Sequence, residues 1–406
     1  MNNTETDITP QIEKTAITAD TASDYDRIIN TADLASLFAL RCTAVRLYMA
    51  QNHIQAAVFE DTEERRDPAV RYLSGHPSDA LFIITAEGKT VLIPWDEHLA
   101  AIHGHADIII PYTKFKRRAI TAVHKVLASL NTDEDSVVEL PPITPYPLFL
   151  KYVTALESWN VKCHEHGVHD FVVEQRAVKD IYEIACTRKA CAITSHLTDM
   201  IEGKLKKGSI QTESDVALFI EKELRSLGCE RTGFDTLAAG PSRSFAIHAF
   251  PGYTAATWGG HGLSILDYGV VFNGYTSDAT ITVARGPLSA TQKKIINAVQ
   301  EAAETCVPLY QAGKTILAAA AKADSLFSKT KRSMPHGLGH GIGLEIHEAP
   351  FVSMRADETE TFKPGMVITC EPGLYDENAG GCRLENDVLV CDKGNILLTN
   401  SRIIAL

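Results

Sequence analysis

The residues of this chain best suited to chemistry are carboxylates and imidazoles in its second half. Asp267 closes the apolar run Ile265-Leu266, and Asp278 follows Tyr275-Thr276-Ser277. Between them, Asn273-Gly274 is the signature of a two-residue hairpin turn, because both turn positions need positive φ. That turn pairs Phe272 with Tyr275 and Gly269 with Asp278, which makes Asp267 the diagonal neighbour of Asp278 on one face. Two carboxylates aimed at one spot from a sheet interior are costly unless a cation separates them. A divalent metal is the usual solution. Next comes His336-Gly337-Leu338-Gly339-His340-Gly341-Ile342-Gly343-Leu344-Glu345-Ile346-His347. Its alternating glycines argue against a helix, and its three histidines can supply one or two ligands and a proton carrier. Two further acids lie on stretches of strand character, Glu371 at the end of the apolar run Met366 to Cys370 and Glu385 within Gly381 to Val390. Four carboxylates and one imidazole suit two divalent ions better than one. A pair of ions ~3.5–4 Å apart can hold a hydroxide between them and clamp a tetrahedral intermediate.

These stretches together resemble the pita-bread metallopeptidases, the family of methionine aminopeptidase, aminopeptidase P and prolidase, with creatinase as a metal-free relative. The resemblance rests on Pro335 to Pro350, Ile368 to Tyr375 and Arg383 to Val390, in that order. Arg41 to Pro94, with Tyr72-Leu73-Ser74-Gly75, is similar to the creatinase-type N-terminal domain, and Arg176 to Ala190 to the first catalytic-domain helix. The resemblance implies that Asp278 and Glu385 bridge two metals, that Asp267 completes one, and that His340 and Glu371 complete the other. It also implies that Glu371 shuttles a proton, that His248 and His347 contact substrate and stabilise the intermediate, and that His336 and Arg383 line the pocket. The family pattern carries an arginine three residues after the second aspartate, where this chain has Ile281, and often an acid where it has Asn386.

Elements must carry these side chains. The first half alternates helix (Ile28 to Gln51, Ile120 to Leu130) with strand (Ala56 to Phe59, Ala80 to Thr85, Lys89 to Pro94, Asp107 to Ile110, Ser136 to Leu140), which argues for a layered α/β domain. The second half opens with helices over Val178 to Lys206 and Glu213 to Leu227, the latter with Thr212 as N-cap. Helices follow at Ser289 to Cys306, with a capping box at Ser289 and Gln292, and at Ile316 to Phe327. The expected fold is an α/β N-terminal domain over residues 25–168, after a polar tail at 1–24, and an α+β pita-bread catalytic domain over 169–406. The catalytic sheet is curved, mainly antiparallel and covered by helices.

The 406 residues carry a net charge of −12, which disfavours nucleic acid or an anionic membrane as partner. The N-terminus lacks the basic and apolar regions of a signal peptide, and the nine cysteines form no CxxC pair. They read as reduced thiols of a cytoplasmic protein. Cys163, His164, Glu165, His166, His169 and Asp170 form a dense ligand-like cluster, but their spacing fits no zinc template. His103 and His105 are treated in the same way. Cys370 and Cys382 should point away from their neighbours Glu371 and Arg383, since strand side chains alternate.

The reading is a metal-dependent peptidase that cleaves the N-terminal Xaa-Pro bond of dipeptides or short peptides through a hydroxide held between two metals. The cofactor would be two divalent ions per subunit, Mn²⁺ first, with Co²⁺, Zn²⁺ or Fe²⁺ as substitutes. Partners are a small peptide substrate and a second copy, as a homodimer or dimer of dimers. Rival readings are a creatinase-like C–N hydrolase of a small non-peptide amide and a non-enzymatic binding module on the same fold.

Overall fold

In the computed structural model, residues 24–130 and 135–406 are described. The expected tail at 1–24 therefore falls outside them, apart from Asp24. The chain divides into two compact units, residues 32–175 and residues 176–406, with 24–31 joining the latter.

The first unit contains α2 (Leu34–Gln51), β1 (Ile54–Asp61), α3 (Pro68–Ser74), β2 (Ala80–Thr85), β3 (Thr90–Pro94), α4 (Glu97–His103), β4 (Ile108–Ile109), α5 (Ala119–Ser129), β5 (Val137–Glu139), α6 (Tyr146–Ala155), β6 (Asn160–Lys162) and most of α7 (Val168–Ala177); α1 (Tyr25–Thr31) precedes them in the chain and belongs to the other unit. Its six strands form one sheet in the order β4-β3-β2-β1-β5-β6. Val58, Ile83 and Val91 pack with Val126 and Leu127 of α5 and Tyr152 of α6. The single helix expected from Ile28 breaks at Ala32-Asp33, because Asp33 caps a new helix by accepting the Ser36 N–H.

The second unit continues with α8 (Ile181–Lys206), α9 (Glu213–Ser226), β7 (Arg231–Thr232), β8 (Leu237–Ala239), β9 (Gly262–Tyr268), β10 (Val270–Phe272), β11 (Tyr275–Thr276) and β12 (Ala279–Arg285). There follow α10 (Ala290–Cys306), α11 (Ile316–Lys329), β13 (Gly339–Gly341), β14 (Glu348–Val352), β15 (Val367–Cys370), β16 (Gly373–Asp376), β17 (Gly380–Arg383), β18 (Asn386–Val390), β19 (Asn395–Leu397) and β20 (Ile403–Ala405). The expected start of α8 at Val178 moves to Ile181, where Asp180 and Glu183 make a capping box. Thr212 and Ser289 cap α9 and α10 as the sequence indicated.

Two sheets carry the chemistry, β20-β12-β9-β8 and β14-β13-β15-β18-β19. Among the described residues of this unit, every strand pairing except β12 with β20 is antiparallel. Helices cover the sheets: Leu197 and Ile201 of α8 and Ile220 of α9 pack on Leu266, Ile281 and Val283. Ala319 and Ala323 of α11 pack on Ile368 and Val388. A bridge between Thr280 and Glu385 joins the two sheets.

Candidate metal centre

The Asn273-Gly274 turn forms with φ of 49° and 89°. Phe272 pairs with Tyr275 and, further along, Asp267 pairs with Thr280. The register is the one expected from the turn, and it puts Asp278 diagonal to Asp267. The strands are not continuous, however. The return strand is interrupted at Ser277-Asp278, where the Ser277 hydroxyl accepts the Val270 N–H at 3.0 Å. Asp278 therefore sits in a gap of the ladder rather than within it.

His340 lies on β13, a strand flanked closely on both sides. A Cβ on Gly339 would stand 1.9 Å from the Thr369 carbonyl oxygen, so only glycine permits this approach. Glu371 follows β15, and its N–H reaches the Leu338 carbonyl at 2.8 Å. Glu385 lies between β17 and β18, not within one strand as the sequence suggested. Its Oε2 accepts the Thr280 hydroxyl at 2.6 Å.

These segments converge. Ligand atoms of Asp278, His340 and Glu385 lie within 4.8 Å of one another, and all three residues are buried. His340 Nε2 is 3.4 Å from Glu371 Oε1 and 3.7 Å from Asp278 Oδ2. His340 Nδ1 meets the Gly341 carbonyl at 3.1 Å, which turns Nε2 toward the acids. Asp267 Oδ2 accepts from Arg383 Nη2 at 2.6 Å, while its buried Oδ1 has no hydrogen-bond partner.

Crowding of like charges in a dry site perturbs the whole cluster. Burial, followed by the charges of Glu385 and Asp267, pushes the Asp278 carboxyl well above its ordinary range. Burial and the Glu371 and Asp267 charges do the same to Glu385. Burial raises Glu371 to about 8, against the pull of Arg383. Burial lowers His340 and His336 to about 4, so both imidazoles are neutral at pH 7.

The cluster opens on a cavity of about 1130 Å³ whose walls include His248, His336, His347 and Phe250. The His347 ring stands edge-on to His340 with centroids 4.3 Å apart. His336 bonds the Tyr375 hydroxyl at 3.0 Å. Arg383 is among the residues that line this cavity and is almost fully buried. Besides Asp267, its guanidinium bonds the Tyr375 hydroxyl at 2.7 Å, the Ile247 carbonyl at 3.1 Å and Thr280 Oγ1 at 3.0 Å. Tyr375 and Thr280 were not singled out from sequence. The signal for Thr280 was its place two residues after Asp278, which puts it on the same strand face.

The two departures from the family pattern lie elsewhere. Ile281 is fully buried against α8 and α9, on the face opposite Thr280 and Thr282. The Asn386 side chain accepts from the Thr399 hydroxyl and the Ser401 N–H, pinning the segment that leads to β20. Cys370 and Cys382 pack into apolar clusters. In that dense group, His164 hydrogen-bonds Glu139, His169 hydrogen-bonds Asp67, and His166 lies 3.4 Å from Asp170. Among the described residues, Asp278, His340 and Glu385 are the one group of this kind placed to hold a metal ion.

The sequence profile of the metallopeptidase family M24 matches residues 185–392, just over half of the chain. An Xaa-Pro dipeptidase of Pyrococcus furiosus is 34% identical over 345 residues, covering 82% of this chain and 91% of that protein. Among solved structures, the prolidase of Pyrococcus horikoshii superposes with a TM-score of 0.77 at 25% identity, covering 89% of this chain and 99% of that one. An X-Pro aminopeptidase from Thermotoga maritima does so at 0.75 and 25% identity, covering 87% and 98%.

Proposed function

This chain belongs to the metallopeptidase family M24, and from that premise we propose that it hydrolyses the bond between an N-terminal residue and proline in dipeptides or short peptides. The proline preference is taken from the Xaa-Pro dipeptidase and X-Pro aminopeptidase relatives. The observation that carries the reading is the buried group of Asp278, His340 and Glu385, with Glu371 against His340.

Divalent ions fit these residues. A carboxylate group this crowded and this dry needs positive charge, and the orphaned Asp267 Oδ1 is a free donor oxygen beside it. Asp278 and Glu385 would bridge two ions, Asp267 would complete one, and His340 and Glu371 the other. Mn²⁺ is our first choice because the donors are mostly carboxylate oxygens. When bound, such ions acidify water and polarise a carbonyl.

The remaining work falls to the protein. Glu371 accepts a proton from the attacking water and delivers it to the departing proline nitrogen. His347 donates a hydrogen bond to the developing oxyanion. Burial and nearby His248 keep its imidazole neutral, so one ring nitrogen stays a donor and the other an acceptor. His248 orients the substrate. His336, braced by Tyr375, shapes the wall beside Glu371. Arg383 holds Asp267 in place through its four internal bonds. We further assign the chain to the cytoplasm, as a homodimer or dimer of dimers, with residues 25–168 as a creatinase-like domain and 169–406 as the catalytic one. Its nine cysteines are all free thiols, and among the described residues no single helix is long and apolar enough to cross a membrane.

The test is a panel of Xaa-Pro dipeptides, Xaa-Pro-Yaa tripeptides and proline-free controls, assayed with Mn²⁺, Co²⁺ and Zn²⁺. Cleavage confined to the proline peptides is expected, with loss in Glu371→Ala and Asp278→Ala. If the metal-loaded chain cleaves none of the panel, the proposal fails.

A further inference from the structure

Two of the proposed ligands stand where strand pairing is irregular. Asp278 occupies the gap between β11 and β12, and His340, paired with Phe351 of β14, directly precedes a register shift at Gly341, the residue of β13 that pairs with β15. A ligand on irregular backbone is held less firmly unless something else anchors it.

Thr369 and Asp387 are opposed directly across β15 and β18, and both are fully buried. Neither is among the proposed ligands. Thr369 Oγ1 accepts the His340 N–H at 3.0 Å, and Asp387 Oδ2 accepts the Asp278 N–H at 3.0 Å. The pair is itself secured. Cys191 of α8 donates its thiol to the same Oδ2 at 3.2 Å, and the Asp387 N–H reaches Thr399 Oγ1 at 2.9 Å. The Thr369 carbonyl accepts the Tyr310 hydroxyl at 3.0 Å. One cross-strand pair thus takes hold of both ligand backbones at these irregular points.

We propose that Thr369 and Asp387 are positioning residues, which preset the backbones of His340 and Asp278 for a divalent ion. This assignment rests on the metal reading of the site given above. It also separates the two residues. Thr369 serves the ion that His340 would complete, whereas Asp387 serves Asp278, the proposed bridge, and so affects both ions.

The measurement is Mn²⁺ affinity of the full-length chain by competition with a fluorescent chelator, with stability of the metal-free protein followed in parallel. Thr369→Val keeps the shape and removes the hydroxyl, while Asp387→Ala removes the carboxylate. Both should weaken Mn²⁺ binding by about 10- to 100-fold, with one class of site affected in the first and both in the second. Thr369→Ser and Asp387→Asn keep an oxygen acceptor and should bind within about threefold of wild type. Thr198→Val, which loses a buried bond to Tyr268, should lower stability and leave the affinity alone. Affinities for Thr369→Val and Asp387→Ala within twofold of wild type would overturn the assignment. So would conservative variants as impaired as the disruptive ones. Absence of Mn²⁺ binding by the wild-type chain overturns the metal reading itself, and this assignment with it. Should Asp387→Ala fail to fold, the near-isosteric Thr369→Val and Thr369→Ser pair decides the matter.

Discussion

Replacing Glu348 by glutamine tests how the loop bearing His347 is held. Glu348 is buried beside that histidine, with Oε1 on Arg176 and Oε2 3.0 Å from Lys179 Nζ. Oε1 also accepts the Glu345 N–H at 3.1 Å, which closes the turn before His347. Burial alone would raise this carboxyl, but Lys179 and Arg176 outweigh it and hold it at about 2, against an ordinary 4.5. That difference corresponds to ~3 kcal/mol of stability at neutral pH. Glutamine also leaves two buried cations short of an anion, and breaking such a group costs about 3–5 kcal/mol. The folded value is the depressed one, so the stabilisation is complete above pH 4.5 and is lost as pH falls toward 2. Urea denaturation of wild type and Glu348→Gln should therefore differ by about 3–5 kcal/mol at pH 7, and the gap should begin to close below pH 4.5. Turnover of the folded variant should drop as His347 loses its setting. A difference under about 1 kcal/mol at pH 7 refutes the reasoning, as does a gap that does not narrow in acid.

Gly343→Ala would place a Cβ 2.6 Å from a Glu348 carboxylate oxygen that its two cations fix in place. It should cost about 2 kcal/mol or more by denaturation, and an unchanged midpoint would show that the carboxylate yields. Ile281→Arg restores the family's arginine but puts it in the apolar cluster under α8 and α9. Stability should fall by about 4 kcal/mol, with no gain in turnover per folded molecule; higher turnover would show that this face communicates with the site. Metal loading should expel protons. Burial raises Glu371 to about 8, so it holds a proton at pH 6.5 before an ion arrives, and burial shifts Asp278 and Glu385 in the same direction. Calorimetric Mn²⁺ titrations at pH 6.5, in buffers of different ionisation enthalpy, should show release of about one proton or more per chain. Heats independent of the buffer would contradict this.

What could be read in the sequence was local. The hairpin register follows from two turn residues, and the caps at Thr212 and Ser289 follow from side chains three residues apart. Interruptions were not legible. At the Ser277-Asp278 gap a serine hydroxyl takes the Val270 N–H in place of a backbone carbonyl, and the hydroxyl-rich stretch from Thr276 to Thr282 does not single that serine out. Glu385 reads as a strand residue because no glycine or proline follows Gly381 before Val390 to mark the break between β17 and β18. The commitment of Arg383 to Asp267 joins two distant segments, and no spacing rule reaches that far. The resemblance supplied the place of Arg383 in the pocket wall, and the bracing of Asp267 by its guanidinium is what the structure adds. Nor does the departure at Ile281 say by itself that its side chain lies on the helix-covered face of the strand, opposite Thr280.

The close approach at Gly339 and Gly343 bears on how variants of this chain should be scored. Any side chain at Gly339 collides with the Thr369 carbonyl, and one at Gly343 collides with Glu348. A deep mutational scan read out by growth would therefore penalise these glycines as heavily as His340, although neither can touch a substrate atom with a side chain. Only a scan that measures protein abundance separately from turnover would divide the segment into positions that shape the backbone and positions that perform chemistry.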